Sequence, residues 1–278
     1  MVKKSRAPKN FYTAAQAIKR LGIPRATFFD FVKKGKIPKV ISEGYVEGYY
    51  PKAVIDQMAL ARDLATLQYA TDTSIFRKAE EEDIKAIHDL SVSIFGSNAP
   101  NYESRLAPYQ KNQDIYYIIE QDDILVGYLG LIPLKQEIIN RIMGETEGAR
   151  SHLLTATSEI ITSDNIQMFE PGEDYNIFLV SVVRQGLSKS KYYGMRLIFG
   201  GYEILLNLAR KDIIAKGLYA TSRTPDGIKL CKDLGFEETI ILGNPVRRFK
   251  LDLETTTSPY LQEYQQVVRE RRRNTNQT

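Results

Sequence analysis

An α/β body preceded by a small helix-turn-helix head is the architecture this sequence predicts, and three observations predict it. Residues 175–210 run from a β-branched apolar stretch (Ile177, Phe178, Leu179, Val180, Val182, Val183) through a polar loop into a helix. The helix shows as apolar residues at spacings of three and four: Leu197, Ile198, Gly201, Ile204, Leu205 and Leu208. Residues 217–238 repeat the theme, a strand and then a short helix closing at Leu234, Gly235 and Phe236. The first 60 residues hold twelve Lys/Arg against four Asp/Glu, whereas the remainder is mildly acidic. Only the head is therefore built to meet a polyanion.

In the head, Thr13 is placed to cap a helix AAQAIKRL that stops at Gly22. Pro24 then opens a second helix that ends at Gly35. Two short helices joined at Gly22 and Ile23 read as helix-turn-helix. Residues near the start of the second helix, Arg25 and Thr27, are those able to reach base edges. A hairpin-like segment with turn points at Gly44 and Gly48 follows, then a helix from Pro51 to about Tyr69. The competing reading makes Phe28, Phe29 and Phe31 plain core and the lysines a solvated face.

The polar stretch ATDTS suits a boundary near residues 70–75. Beyond it, residues 76–79 read as a short strand, and EEEDIKAIHDLSVSIFG as an amphipathic helix whose acids suit its N-terminus. Residues 115–132 read as two antiparallel strands joined at Asp122 and Asp123. Residues 133–174 form a long segment, part helical and part strand-like, that would shape a substrate pocket or a dimer contact. After Gly235 come two strands split at Gly243, Asn244 and Pro245, then a tail that is helical to about Arg273.

Composition excludes several classes. Hydrophobic content of 43% with 26% charged residues is ordinary for a globular protein. No apolar run approaches the ~20 residues of a membrane span. The basic N-terminus leads into no apolar signal core, so a cytoplasmic protein is expected. One cysteine forbids an intrachain disulfide, and with two histidines it argues against a structural zinc site; no metal is expected.

Strand, basic loop, helix is an arrangement that aims free N–H groups, a helix dipole and Lys side chains at an anion. A phosphate-bearing ligand is thus expected at residues 189–195. These segments resemble the cofactor-binding half of the GNAT N-acetyltransferase superfamily. In that family a loop of the form Arg/Gln-x-x-Gly-x-Gly/Ala wraps the coenzyme A pyrophosphate, and a later helix ends in Leu-Gly-Phe. Here Lys189 takes the Arg/Gln place, Tyr192 the first glycine and Gly194 the second, in a loop one residue longer.

The resemblance covers about residues 75–253 and implies a mixed sheet, acetyl-CoA or another acyl-CoA as cofactor, and transfer of the acyl group to an amine. It implies cofactor contacts from Val182 and Val183 on the strand, from Lys189, Ser190, Lys191, Tyr192, Tyr193, Gly194 and Met195, and from Thr224 in place of the family's Asn. Cys231 stands where the family often has a thiolate-protonating tyrosine, although a buried cysteine is ordinarily core. Glu173, before the central strand, is the candidate general base, although a charged residue there is ordinarily solvated.

The head, about residues 11–58, resembles the MerR/excisionase type of winged helix-turn-helix. The features that carry this are Leu21-Gly22-Ile23, Gly35-Lys36-Ile37-Pro38, and Tyr49-Tyr50 before a Pro-led helix. By that resemblance Arg25 and Thr27 contact DNA bases, Lys33, Lys34, Lys36 and Lys39 face phosphates, and a homodimer is implied. Three regions result: a head at 1–70, a body at 75–253, and a helix with a basic tail at 254–278. The rival function is a transcriptional regulator whose body binds an acyl-CoA or related metabolite without catalysis, and the departures at Tyr192 and Cys231 favour it.

Overall fold

The structure is a computed structural model that describes residues 7–41, 48–67, 73–145, 160–241 and 244–275. The N-terminal part comprises β1 (Phe11–Tyr12), α1 (Ala14–Leu21), α2 (Arg25–Lys33), β2 (Tyr50–Pro51) and α3 (Lys52–Leu67). Thr13 caps α1: its hydroxyl accepts from the Gln16 N–H while the Gln16 side chain accepts from the Thr13 N–H, satisfying two helix-end donors reciprocally. Gly22 ends the helix at φ 62°, a left-handed conformation that suits glycine. Pro24 sits just before α2 rather than in its first turn.

β1 pairs antiparallel with β2, and a single bridge joins Val40 to Tyr49. The turn expected at Gly44 lies outside the described residues, as do the end of the third helix at Tyr69 and most of the basic arm. Ala17, Leu21, Phe28, Ile37, Tyr50, Ile55 and Ala59 form the local core.

The rest of the chain is a mixed α/β structure on a seven-stranded sheet. Its elements are β3 (Ile75–Lys78), α4 (Asp83–Phe95), α5 (Glu103–Lys111), β4 (Tyr116–Gln121), β5 (Ile124–Leu134), α6 (Gln136–Met143) and β6 (Asp174–Val183). Then come α7 (Ser190–Arg210), β7 (Ile214–Ser222), α8 (Pro225–Asp233), β8 (Glu237–Thr239), β9 (Arg247–Asp252) and α9 (Gln262–Thr275). The strand order is β3-β4-β5-β6-β7-β9-β8, antiparallel throughout except for the parallel pair β6/β7.

Asp122 and Asp123 turn β4 into β5 with φ of 51° and 59°, the doubly positive geometry of a tight hairpin. One face of the sheet packs on α7, α8 and α9 through Leu129, Leu131, Ile177, Leu197, Leu205, Phe249 and Tyr264. The other packs on α4, α5 and α6 through Ile84, Ile87, Tyr128, Ile132, Ile139 and Phe178. Gly200 lets α7 lie close to the sheet, because a Cβ there would meet the Phe76 ring at 2.4 Å.

The first helices do not stand apart from this body. Leu60 of α3 is buried in the core shared with α7 and α8. Arg20 of α1 bonds Asp56 of α3 at 2.6 Å and Asp233 of α8 at 3.5 Å. Among the described residues, no helix is long and apolar enough to cross a membrane.

Candidate functional site

The central parallel pair parts company halfway along. β6 and β7 pair from Asp174↔Ile214 to Phe178↔Tyr219, with a register shift between Tyr175 and Asn176. Past that point residues 179–183 remain paired only to β5, and residues 220–222 only to β9. Parallel strands are ordinarily buried on both faces. Here Ser181 is exposed on the central strand, and Leu179, Val180 and Val183 are only half-buried. Past the shift and the end of their pairing, β6 and β7 each keep one backbone edge without a strand partner, and the space between those edges is the candidate cleft.

Two helix N-termini stand at the mouth of this cleft, because α7 follows the C-terminal end of β6 and α8 follows that of β7. Ligands of parallel sheets gather at such ends, where first-turn N–H groups lack helical acceptors and the dipole favours negative charge. The loop is shorter than the sequence predicts: the helix starts at Ser190, so Ser190, Lys191, Tyr192, Tyr193, Gly194 and Met195 are already helical. The apolar pattern begins only at Leu197, which concealed the polar first turns.

Arg184 anchors the loop by donating to the Leu125 carbonyl at 3.0 and 3.1 Å. A Cβ on Gly194 would lie 3.9 Å from Val183 Cγ2, so the first turns of α7 lie against the open end of β6. Lys189 and Lys191 are exposed, and Lys191 Nζ is 3.9 Å from Asp63 of α3. Val182 is buried on the α4–α6 face, and Val183 packs toward α7. Tyr193 and Met195 point into the core, which leaves only their backbone for a ligand. Thr224 caps α8, its hydroxyl oxygen accepting from the Gly227 N–H at 3.1 Å.

The two expected catalytic residues lie in settings unlike each other. Glu173 is exposed at the closed, paired end of β6, five residues before pairing stops, or about 17 Å along a strand. Cys231 is 9% exposed in the core cluster with Leu234, Phe236 and Leu261. Burial pushes its thiol up to about 12. In the head, Arg25, Lys33, Lys34, Lys36 and Lys39 are exposed and Thr27 half-buried. The Arg25 guanidinium stacks 5.2 Å from the centre of the Phe29 ring, itself 39% exposed, and Lys34 pairs with Asp30. Phe28 alone of the three phenylalanines is fully buried.

A polar cluster that the sequence did not disclose lies on the opposite face of the cleft from α7. Ser91 of α4, Arg105 of α5 and Tyr128 of β5 join there through hydrogen bonds. Tyr128 is the register partner of Val182. Nothing in the spacing of these three residues links them, because they come from three separate elements.

No protein-family model matches the chain, and no curated protein does. Among solved structures it is similar to yncA from Salmonella typhimurium with its cofactor acetyl-CoA, at 16% identity and a TM-score of 0.41, covering 68% of this chain and 98% of that one. It is similar to the loading GNATL domain of CurA from Lyngbya majuscula, at 13% identity and a TM-score of 0.45, covering 65% and 98%. It is also similar to an N-acetyltransferase from Staphylococcus aureus Mu50, at 13% identity and a TM-score of 0.39, covering 65% and 99%.

Proposed function

We propose that the body binds an acyl-CoA in the cleft between β6 and β7 and transfers its acyl group to an amine, and that the head binds DNA. One observation carries the first part: the strands continue after their pairing ends at Phe178↔Tyr219, leaving a backbone edge open beside the start of α7. An extended arm with amide groups fits that edge as an added strand would. A pyrophosphate fits the first-turn N–H groups of α7, with Lys189 and Lys191 supplying countercharge. When bound, acetyl-CoA supplies the thioester carbonyl that the amine attacks. The β6 backbone aligns the acyl arm, and its free N–H groups are donors for charge developing on an oxygen. Neither Glu173 nor Cys231 is assigned a step in this reading, so solvent takes the amine's proton and protonates the CoA thiolate as the C–S bond breaks.

In the head, the exposed Arg25–Phe29 pair and Thr27 on α2 suit contact with bases. Lys33, Lys34, Lys36 and Lys39 suit contact with phosphates. Division into a head at 1–70, a body at 75–253 and a C-terminal helix is part of this proposal, with a homodimer as the form that would bind DNA.

A second reading, a regulator that senses acyl-CoA without turnover, is favoured by the contacts of Arg20 with Asp233 and of Lys191 with Asp63. These tie the head to α7 and α8. Calorimetric titration of acetyl-CoA into wild type and the Lys189→Ala/Lys191→Ala variant tests the shared premise: saturable binding that weakens in the variant supports both readings. CoA release on adding amines then supports transfer. DNA affinity that changes with acetyl-CoA while no CoA is released supports the sensor.

A further inference from the structure

Arg105 is a buried cation without a buried anion. It is 4% exposed, and its Nη2 donates to Ser91 Oγ at 2.7 Å and Tyr128 Oη at 3.3 Å. Those hydroxyls lie 2.8 Å apart, and Ser91 also donates to the Ile87 carbonyl. The guanidinium sits 5.4 Å from the centre of the Tyr128 ring, and its Nε, fully buried, has no hydrogen-bond partner. Among the described residues, no Asp or Glu pairs with it. A guanidinium stays protonated in a protein, so its charge must be met by something.

The other buried arginine among the described residues shows how the fold treats a purely structural one. Arg248, 5% exposed, gives its Nε to the Ile142 carbonyl at 2.8 Å and its Nη1 to the Val246 carbonyl at 3.0 Å. Ile142 lies in the last turn of α6, the negative end of a helix dipole. Arg105 has no carbonyl partner, only hydroxyls that donate as readily as they accept.

Tyr128 is the register partner of Val182, within the stretch of β6 whose other edge is open. The cluster lies on the α4–α5 face of the sheet, and the start of α7 lies on the other. If the phosphates of the acyl donor occupy the α7 side, the acceptor approaches from the side of Arg105. One unpaired guanidinium calls for one negative charge, and its fork matches a planar carboxylate.

We propose that Arg105, with Ser91 and Tyr128, forms a subsite for the carboxylate of the acceptor, which makes the acceptor an amino acid or a related amine bearing one carboxylate. The proposal rests on the acyl-transfer reading for the word acceptor, and its test separates the two. The test compares α-amino acids with their carboxamides, and β-alanine with its amide, on the full chain. CoA release from acetyl-CoA and the shift in melting temperature in the presence of CoA are both read.

Wild type is expected to favour the acid over the amide by about tenfold in kcat/KM, mostly through KM. Arg105→Gln should erase that preference while leaving acetyl-CoA affinity unchanged, and Arg105→Lys should restore part of it. Tyr128→Phe, a milder change, should reduce it. If no amine turns over, stabilisation of wild type by the acids but not the amides, lost in Arg105→Gln, still supports the subsite although transfer has failed. Equal response to acids and amides in wild type would overturn the subsite, as would a preference that survives Arg105→Gln. So would a lower melting temperature in every Arg105 variant with no ligand effect in wild type, which would mark an internal structural charge.

Discussion

Arg20 near the end of α1 and Asp233 at the end of α8 stand 3.5 Å apart, although 213 positions separate them in the chain. Arg20 also holds Asp56 of α3 at 2.6 Å, so one guanidinium ties the basic head to the helix at the mouth of the cleft. In the regulator reading, this contact is the route by which a change in α8 would reach the head.

Arg20→Ala is expected to destabilise the protein by about 1 kcal/mol, because it leaves partly buried Asp56 with only the Tyr12 hydroxyl and Asp233 with only Lys229. Urea denaturation measures this from the midpoint. In the regulator reading, the same variant should uncouple DNA affinity from acetyl-CoA. A midpoint equal to that of wild type would show that the contact contributes nothing.

Lys189→Ala/Lys191→Ala is expected to weaken acetyl-CoA binding about tenfold at physiological ionic strength, with a smaller difference at high salt. Both side chains are exposed, so their attraction for a phosphate is screened. Calorimetry at two salt concentrations gives the comparison. The loss of Lys191 also releases Asp63, so the melting temperature of the variant is recorded beside it.

Much of this architecture was legible because local chemistry and tertiary structure agree. Thr13, Gly22 and the Asp122–Asp123 turn marked their elements from sequence alone. The start of α7 was not, since Ser190 and Lys191 are polar residues in a first turn and only position shows that they are helical. Nor was the fate of Glu173: proximity to a strand says nothing about which end of it opens. The burial of Arg105 was not legible for another reason. A lone arginine on a short helix is ordinarily solvated, and its burial depends on Ser91 and Tyr128 arriving from elsewhere in the chain.

On the head, the combined change of Lys33, Lys36 and Lys39 to Ala is expected to weaken DNA binding for all sequences alike. Each phosphate contact removed should lower the slope of log affinity against log salt by about 0.9. Arg25→Ala should instead narrow the gap between specific and random sequence, because this side chain is placed for base edges. Fluorescence anisotropy across a salt series separates the two behaviours. A salt slope unchanged by the triple variant would remove these lysines from any interface and return them to a solvated face.

Cys231 supplies a test that divides packing from chemistry. Its thiol is buried with Leu234 and Phe236, and burial alone holds it up to about 12. Cys231→Ala should cost about 1 kcal/mol of stability and leave acyl transfer within about threefold of wild type. The pH dependence follows from the direction of the shift. The folded state keeps the thiol proton to about pH 12, whereas the unfolded chain loses it near pH 8.5. Above that lower value the folded state binds more protons, so stability falls as pH rises through this window and is fully present below it. Unfolding by urea at pH 8 and pH 10 should therefore show wild type losing more stability than Cys231→Ala. Comparison with the variant cancels the contribution of the buried tyrosines, which shift in the same direction. An equal loss in both proteins would place the thiol in contact with water, and a large fall in kcat for Cys231→Ala would restore it as the proton donor to the leaving thiolate.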